Sequence, residues 1–146
     1  MYYAEQKILK TLPKMAEKAT EPDLKAAFEH HHGETEEHIR RLERVMDELD
    51  IPHRGVTCEA IQGILEEGEE IMSETEAGDA LDAGLVASAQ AVEHYEIARY
   101  GTMVSWAKTL DKPTVAKLLE QTLDQEYNAD RTLSKLGETE LNREAA

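Results

Sequence analysis

At 146 residues, 40 % of them hydrophobic and 32 % charged, the chain has the size and balance of one globular domain that buries its own core. Its single cysteine, Cys58, excludes an intrachain disulfide and any cysteine-built zinc or iron–sulfur cluster. Thirty-one acids against 16 bases give a formal charge of −15. That surface repels nucleic acid and anionic lipid and suits small cations; no apolar run is long enough to cross a bilayer, and no secretory pattern opens the chain, so a cytoplasmic location is expected.

Strong helix formers dominate, and the periodicity predicts five helices. The first covers about 2–19 through Ile8, Leu9, Leu12 and Met15. Thr20-Glu21-Pro22-Asp23 reads as a restart, with Thr20 as cap and the proline early in the first turn. The second helix runs about 21–50, with Leu24, Phe28, Ile39, Leu42, Val45, Met46 and Leu49 as its stripe, until Pro52 to Gly55 breaks it. Thr57 is positioned to cap a short third helix to about 75, carrying Ile61, Ile64, Leu65, Ile71 and Met72. Gly78-Asp79 precedes a fourth helix over about 80–109, whose stripe runs from Leu81 through Leu85, Val92, Tyr100 and Met103 to Leu110. A fifth, about 112–136, uses Val115, Leu118, Leu119, Leu133 and Leu136. Two helical hairpins joined by a crossover that carries the third helix make an all-α antiparallel four-helix bundle over 1–137. Residues 138–146 read as a polar tail that frays.

Polar residues interrupt the stripes at core spacing. Glu5 precedes Ile8 and Leu9 by three and four residues and shares their face. Positions 28, 31, 35, 38 and 42 follow one face, so His31, Thr35 and His38 point with Phe28 and Leu42, and Glu34 sits beside them. Glu93 and Glu96 lie between Val92 and Tyr100; Thr122, Glu126 and Asp130 lie between Leu119 and Leu133. With 31 acids in 146 residues, any one of these alone reads as a solvated face. All four bundle helices, however, direct at least one carboxylate inward.

Burying such groups unpaired costs several kcal/mol each, and neighbours repel. Arg99, three beyond Glu96, is the nearest base, and one arginine does not balance the set. Two metal ions would. A paired-metal site in a bundle takes single glutamates from two helices and a Glu-x-x-His pair from each of the others. Glu5 and Glu93 fill the single positions; Glu34 has His31 or Glu37 at three residues or His38 at four, and Glu126 has Ala129 at three and Asp130 at four. An acid-rich, histidine-poor set suits iron or manganese. His38 equally reads as an outer partner, His94 as an outer hydrogen bond, and His30, His32 and His53 as surface residues. Tyr95, Tyr100 and Tyr127 fall near the site as volume or hydroxyl donors, and Cys58 reads as a packed thiol.

Ala4-Glu5-Gln6, the Phe28, His31, Glu34-Thr35 spacing, Glu93-His94-Tyr95-Glu96-Ile97-Ala98 with Tyr100-Gly101-Thr102, and Leu118-Leu119 through Thr122-Leu123, Glu126 and Asp130 resemble the YciE/YciF family of ferritin-like stress proteins from residue 2 to about 136. The resemblance implies a ferritin-like bundle, a homodimer and a di-metal carboxylate centre holding two irons per chain, with manganese or zinc as substitutes. It makes Glu5, Glu34, Glu93 and Glu126 the core ligands, followed by Glu96, His31 and Asp130, with Glu34, Glu93 and Glu126 closest to the chemistry. Family members carry further residues before the Tyr2-Tyr3-Ala4-Glu5 stretch that complete the first helix, so either a bundle shortened at that end or a start lying further upstream is expected, with Glu5 here on the first turn where N–H groups lack partners. The expected function is oxidation of ferrous iron by oxygen or peroxide, or consumption of peroxide, under oxidative or general stress. The alternative is a non-catalytic stress or structural protein whose inward acids hold metal for stability or not at all. The apolar face of the third helix reads as the dimer contact.

Overall fold

Helix-forming residues with a 3.6-residue apolar period leave this chain little choice but to bundle, and the computed structural model, which describes residues 1–146 except the side chain of Glu140, does so. The helices are α1 (Tyr2–Lys18), α2 (Pro22–Glu48), α3 (Glu59–Glu74), α4 (Asp79–Thr109) and α5 (Pro113–Leu136). A π-helical turn (Gly137–Leu141) and α6 (Asn142–Glu144) follow. The α1–α2 and α4–α5 hairpins pack through α2 against α5, while α3 in the crossover lies on α4 and α1. This is the ferritin-like arrangement of two hairpins with a crossover helix, and no described residue is in a strand.

Two turns differ from expectation in their caps. Glu21, not Thr20, caps α2, its carboxylate accepting from Leu24 N–H at 2.8 Å. Thr20 is recruited by Asp82 at the start of α4, a carboxylate only 1 % exposed that accepts from the Thr20 and Glu21 N–H groups, each at 2.9 Å, and from the Thr20 hydroxyl. A buried acid needs donors, and this one obtains them by tying the first hairpin's turn to α4. Cys58, not Thr57, stands at the N-terminus of α3, without a side-chain cap bond. Gly78, with φ of 140°, makes the reversal into α4 that a side chain would strain. At Gly84 a Cβ would lie 2.8 Å from Ile71 Cγ2, so the glycine lets α3 approach α4 closely.

On α3, Ile61 and Met72 are buried, and Ile64, Leu65 and Ile71, each partly exposed, pack against the same cluster. The C-terminus also departs from a fraying tail: the chain stays helical to Glu144, and Leu141 is 1 % exposed in the core. A lone leucine among polar residues carries no periodicity, yet one buried leucine docks a turn. Leu49 and Leu110, expected in the stripes, are 38 % and 69 % exposed because they stand where α2 and α4 end.

The core is divided. One cluster joins Ile8, Leu12, Leu24, Phe28, Ile61, Leu81, Leu85 and Leu133. The other joins Leu42, Val45, Tyr100, Val104, Val115, Leu118 and Leu119. The inward polar residues of the four bundle helices lie in the stripes between them.

Candidate metal centre

Helical spacing brings six buried side chains from four helices together: Glu5 from α1, His31 and His38 from α2, Glu93 and Glu96 from α4, and Glu126 from α5. They form two ligand sets. His31, Glu93, Glu96 and Glu126 converge in one, and Glu5, His38 and Glu126 in the other, every set offering ligand atoms within 4.8 Å of one another. Glu126 belongs to both. Its Oε1 lies 3.0 Å from His38 Nδ1 and its Oε2 lies 3.6 Å from His31 Nε2, so its two oxygens face different imidazoles. His31 Nε2 is also 3.3 Å from Glu93 Oε1, and His38 Nδ1 is 3.6 Å from Glu5 Oε1.

Outer hydrogen bonds aim both rings. His31 Nδ1 lies 3.2 Å from Glu34 Oε2, an acceptor, so neutral His31 keeps its proton on Nδ1 and turns Nε2 inward. His38 is set by Gln125, whose Oε1 accepts from Arg41 Nη1 and faces His38 Nε2 at 3.3 Å. Gln125 also donates from Nε2 to Glu34 Oε1 at 2.9 Å, which fixes the amide's orientation. His38 therefore holds its proton on Nε2 and presents Nδ1. The Tyr100 hydroxyl, fully buried, donates to Glu5 Oε1. Thr35, between the histidines, returns its hydroxyl to the His31 carbonyl at 2.9 Å.

Among the described residues, the buried side-chain atoms that lack a hydrogen-bond partner number eight, and all belong to these six residues. At about 1–3 kcal/mol for each, they would consume about the whole net stability of a domain, roughly 5–15 kcal/mol. No lysine or arginine reaches them: Arg41 is engaged with Gln125 and Thr122, and Arg99 stacks on Tyr95 at 5.2 Å. In a chain without metal, protons must do the neutralising. Burial works against charge on His31, but Glu93, Glu34 and Glu126 overcome it and raise its pKa to about 9. His38 is raised to about 10 against its burial by Glu126 and Glu5. Burial, and then Glu126, raise Glu93 to about 8, while burial and the neighbouring carboxylates push Glu96 well above the usual range. Glu34 goes the other way despite partial burial, held low by His31, His30 and Gln125.

Four carboxylates and two neutral imidazoles carry −4, which two divalent cations balance. Oxygen-rich ligation with two imidazoles fits iron or manganese better than a four-coordinate structural zinc. These buried His/Glu clusters can chelate metal.

Of the expected ligands, Glu5, His31, Glu93, Glu96 and Glu126 meet in the centre. Glu34 does not join either set: it stands behind His31 as the carboxylate that orients it, with its side chain 17 % exposed. Asp130 is not brought in either; it accepts from Gln90 and faces His94 Nε2, both at 3.1 Å. Glu37 lies at the surface with Arg40, and Tyr127 is 43 % exposed. Tyr95 faces Cys58 Sγ at 3.2 Å. His38, which the spacing allowed as a partner of Glu34 or as an outer group, joins the second set with Glu5 and Glu126. Gln125 and Arg41 carry no sequence signal, since both lie off the apolar stripes.

The whole chain, residues 1–146, matches the family described as "Domain of unknown function (DUF892)". It is 37 % identical over 145 residues to Protein YciF of Escherichia coli strain K12, covering 99 % of this chain and 87 % of that one. The crystal structure of the E. coli stress protein YciF superposes with a TM-score of 0.92 at 36 % identity, over 97 % of this chain and 90 % of that chain. YcfI of Rhodopseudomonas palustris superposes with a TM-score of 0.89 at 45 % identity, over 91 % of this chain and 85 % of the other. The chain belongs to the YciE/YciF-like, ferritin-like DUF892 family.

Proposed function

We propose that this member of the family is a di-iron carboxylate protein that oxidises ferrous iron with oxygen or peroxide, or consumes peroxide, in a stress response. The observation that carries the reading is the set of eight buried, partnerless atoms converging from four helices around a shared Glu126. When bound, the paired iron supplies one electron from each ion to the oxidant.

The chain's own residues do the rest. Glu126, with one oxygen toward each histidine, would be shared by the two ions. Glu5 and His38 would help hold one, and His31 and Glu93 the other, with Glu96 buried beside them. Glu34 Oε2 and Gln125 Oε1 accept the outer imidazole protons, so a bound cation would displace only the inner proton of each ring. Binding would release the protons that His31, His38, Glu93 and Glu96 otherwise carry. The homodimer and cytoplasmic location belong to the same proposal, supported by the family resemblance and by the description of a relative as a stress protein.

The test is elemental analysis of protein purified without a histidine tag, then anaerobic ferrous loading and an oxygen pulse followed in the near ultraviolet. About two irons per chain and a growing ferric band are expected, as for a paired-metal bundle site. Metal at background level, with oxidation no faster than buffer, overturns the reading. Bound metal with no oxidation reassigns the centre to stability alone.

A further inference from the structure

Position 129 is where a second Glu-x-x-His pair would place its histidine, three residues after Glu126, and this chain has alanine there. The missing side chain leaves space. Ala129 lines a cavity of about 160 Å³ that Ala27 and Ala89 also border, walled by Leu12, Phe28 and Leu133. His31 and Glu93 are in its lining, and each carries a buried atom without a partner, His31 Nε2 and Glu93 Oε2. Asn128 and Thr132, both exposed, lie at its rim on α5.

We propose that this cavity, at the His31–Glu93 side of the centre, is a binding site for a small neutral molecule with an apolar body, up to a single six-membered ring. The volume is close to the roughly 150 Å³ at which an apolar cavity accepts benzene, so there is room for a ring. The chemistry follows from the walls. Leu12, Phe28, Leu133 and the three alanines offer apolar contact, and His30, His31, Glu34 and Glu93 offer polar contact beside it, so a neutral molecule with an apolar body and one polar group satisfies both. Where it meets His31 and Glu93, one polar group finds a donor or acceptor. A phenol, or a diatomic gas of the same apolar character, has this chemistry. No other side of the six-residue cluster is so placed: His38, Glu5, Glu96 and Glu126 are absent from this lining and none of the four is exposed.

The use of such a ligand by the centre rests on the proposed function; its binding does not, so the experiment is run both with and without metal. Phenol is titrated into the full chain, metal-free and zinc-loaded, while the alanine methyl groups are followed by NMR. Saturable shifts are expected at Ala27, Ala89 and Ala129, with none at Ala107 in the other core cluster. Ala129→Leu and Ala27→Leu, both at partly exposed positions that tolerate added bulk, each fill the cavity and weaken binding about tenfold or more, with helical content unchanged. Xenon in place of phenol separates the two ligand sizes: shifts with xenon alone overturn the ring-sized site. Shifts that are linear in phenol, or that survive in whichever filled variant folds, overturn the proposal. Metal content in Ala129→Leu reports separately on the centre, so a lost pocket with intact metal binding leaves the di-iron reading standing.

Discussion

The two histidines of α2 stand seven residues apart, two helical turns, in opposite surroundings. His38 is 0 % exposed, close to a fully buried Glu5 that Tyr100 holds, and orients through an amide that an arginine pins. His31 is 5 % exposed, orients through the half-buried Glu34, and borders a cavity that opens past Asn128. One half of the centre is closed and the other is approachable. In the proposed paired site the closed half would retain its ion and the approachable half would meet the oxidant.

Four experiments press on that contrast, the substitutions first and in descending order of expected effect on metal binding. Glu126→Gln removes the one carboxylate common to both ligand sets, and metal content is expected to fall to background in both halves together. Loss of one metal with retention of the other would make the halves independent. The histidines come next. His38→Ala leaves a sealed cavity and is expected to cost about 2–4 kcal/mol in unfolding free energy, by analogy with large-to-small core changes. His31→Ala only enlarges an open one and should cost less. Imidazole added to the medium should restore metal binding to His31→Ala and not to His38→Ala; equal rescue would erase the distinction.

Gln125→Ala is a smaller perturbation. It frees the His38 ring and deprives Glu34 of its amide donor without touching an inner atom. A 10–100-fold loss of metal affinity is expected, measured by chelator competition, with the fold unchanged. The fourth experiment varies pH instead of sequence. Glu93 is raised from 4.5 to about 8, His31 from 6.5 to about 9 and His38 from 6.5 to about 10, so the metal-free native state holds protons that the unfolded chain releases. The Glu93 contribution is complete below pH 4.5 and lost as pH rises through 8; the histidine contributions are complete below 6.5 and lost through 9 to 10. The unfolding temperature of metal-free protein should therefore fall from pH 6 to pH 9, and metal should flatten the slope. A metal-free curve that rises over this interval would contradict the proton distribution in both halves.

Much of the site was legible because helices translate spacing into direction. Glu5, His31, Glu93, Glu96 and Glu126 each sit three or four residues from apolar neighbours, and that spacing alone sends them inward. It does not say how far a side chain reaches or which neighbour claims it. Asp130 sits one helical step beyond Glu126, yet Gln90 and His94 of α4 hold it at the flank. Glu34 is three residues from His31, near enough to serve as its outer acceptor and about 40–60° off the direction that His31 and His38 share. Thr20 has the chemistry of a cap, but a buried Asp82 from a helix 62 residues away outbids it. Each departure is a long-range partner competing with a local preference.

By itself the sequence determined an all-helical bundle of two hairpins, because apolar period and punctuation are local properties that any long helix must satisfy by packing. It also determined that four helices bring carboxylates to one interior, which no basic residue there could neutralise. Only the tertiary structure decided that Glu126 lies in both candidate ligand sets, that His38 faces the interior with Glu5 while Glu34 stands behind His31, and that Ala129 lines a cavity beside His31. Those outcomes depend on which side chains from different helices arrive at the same depth, and helix rotation and height are set by the packing of the whole core.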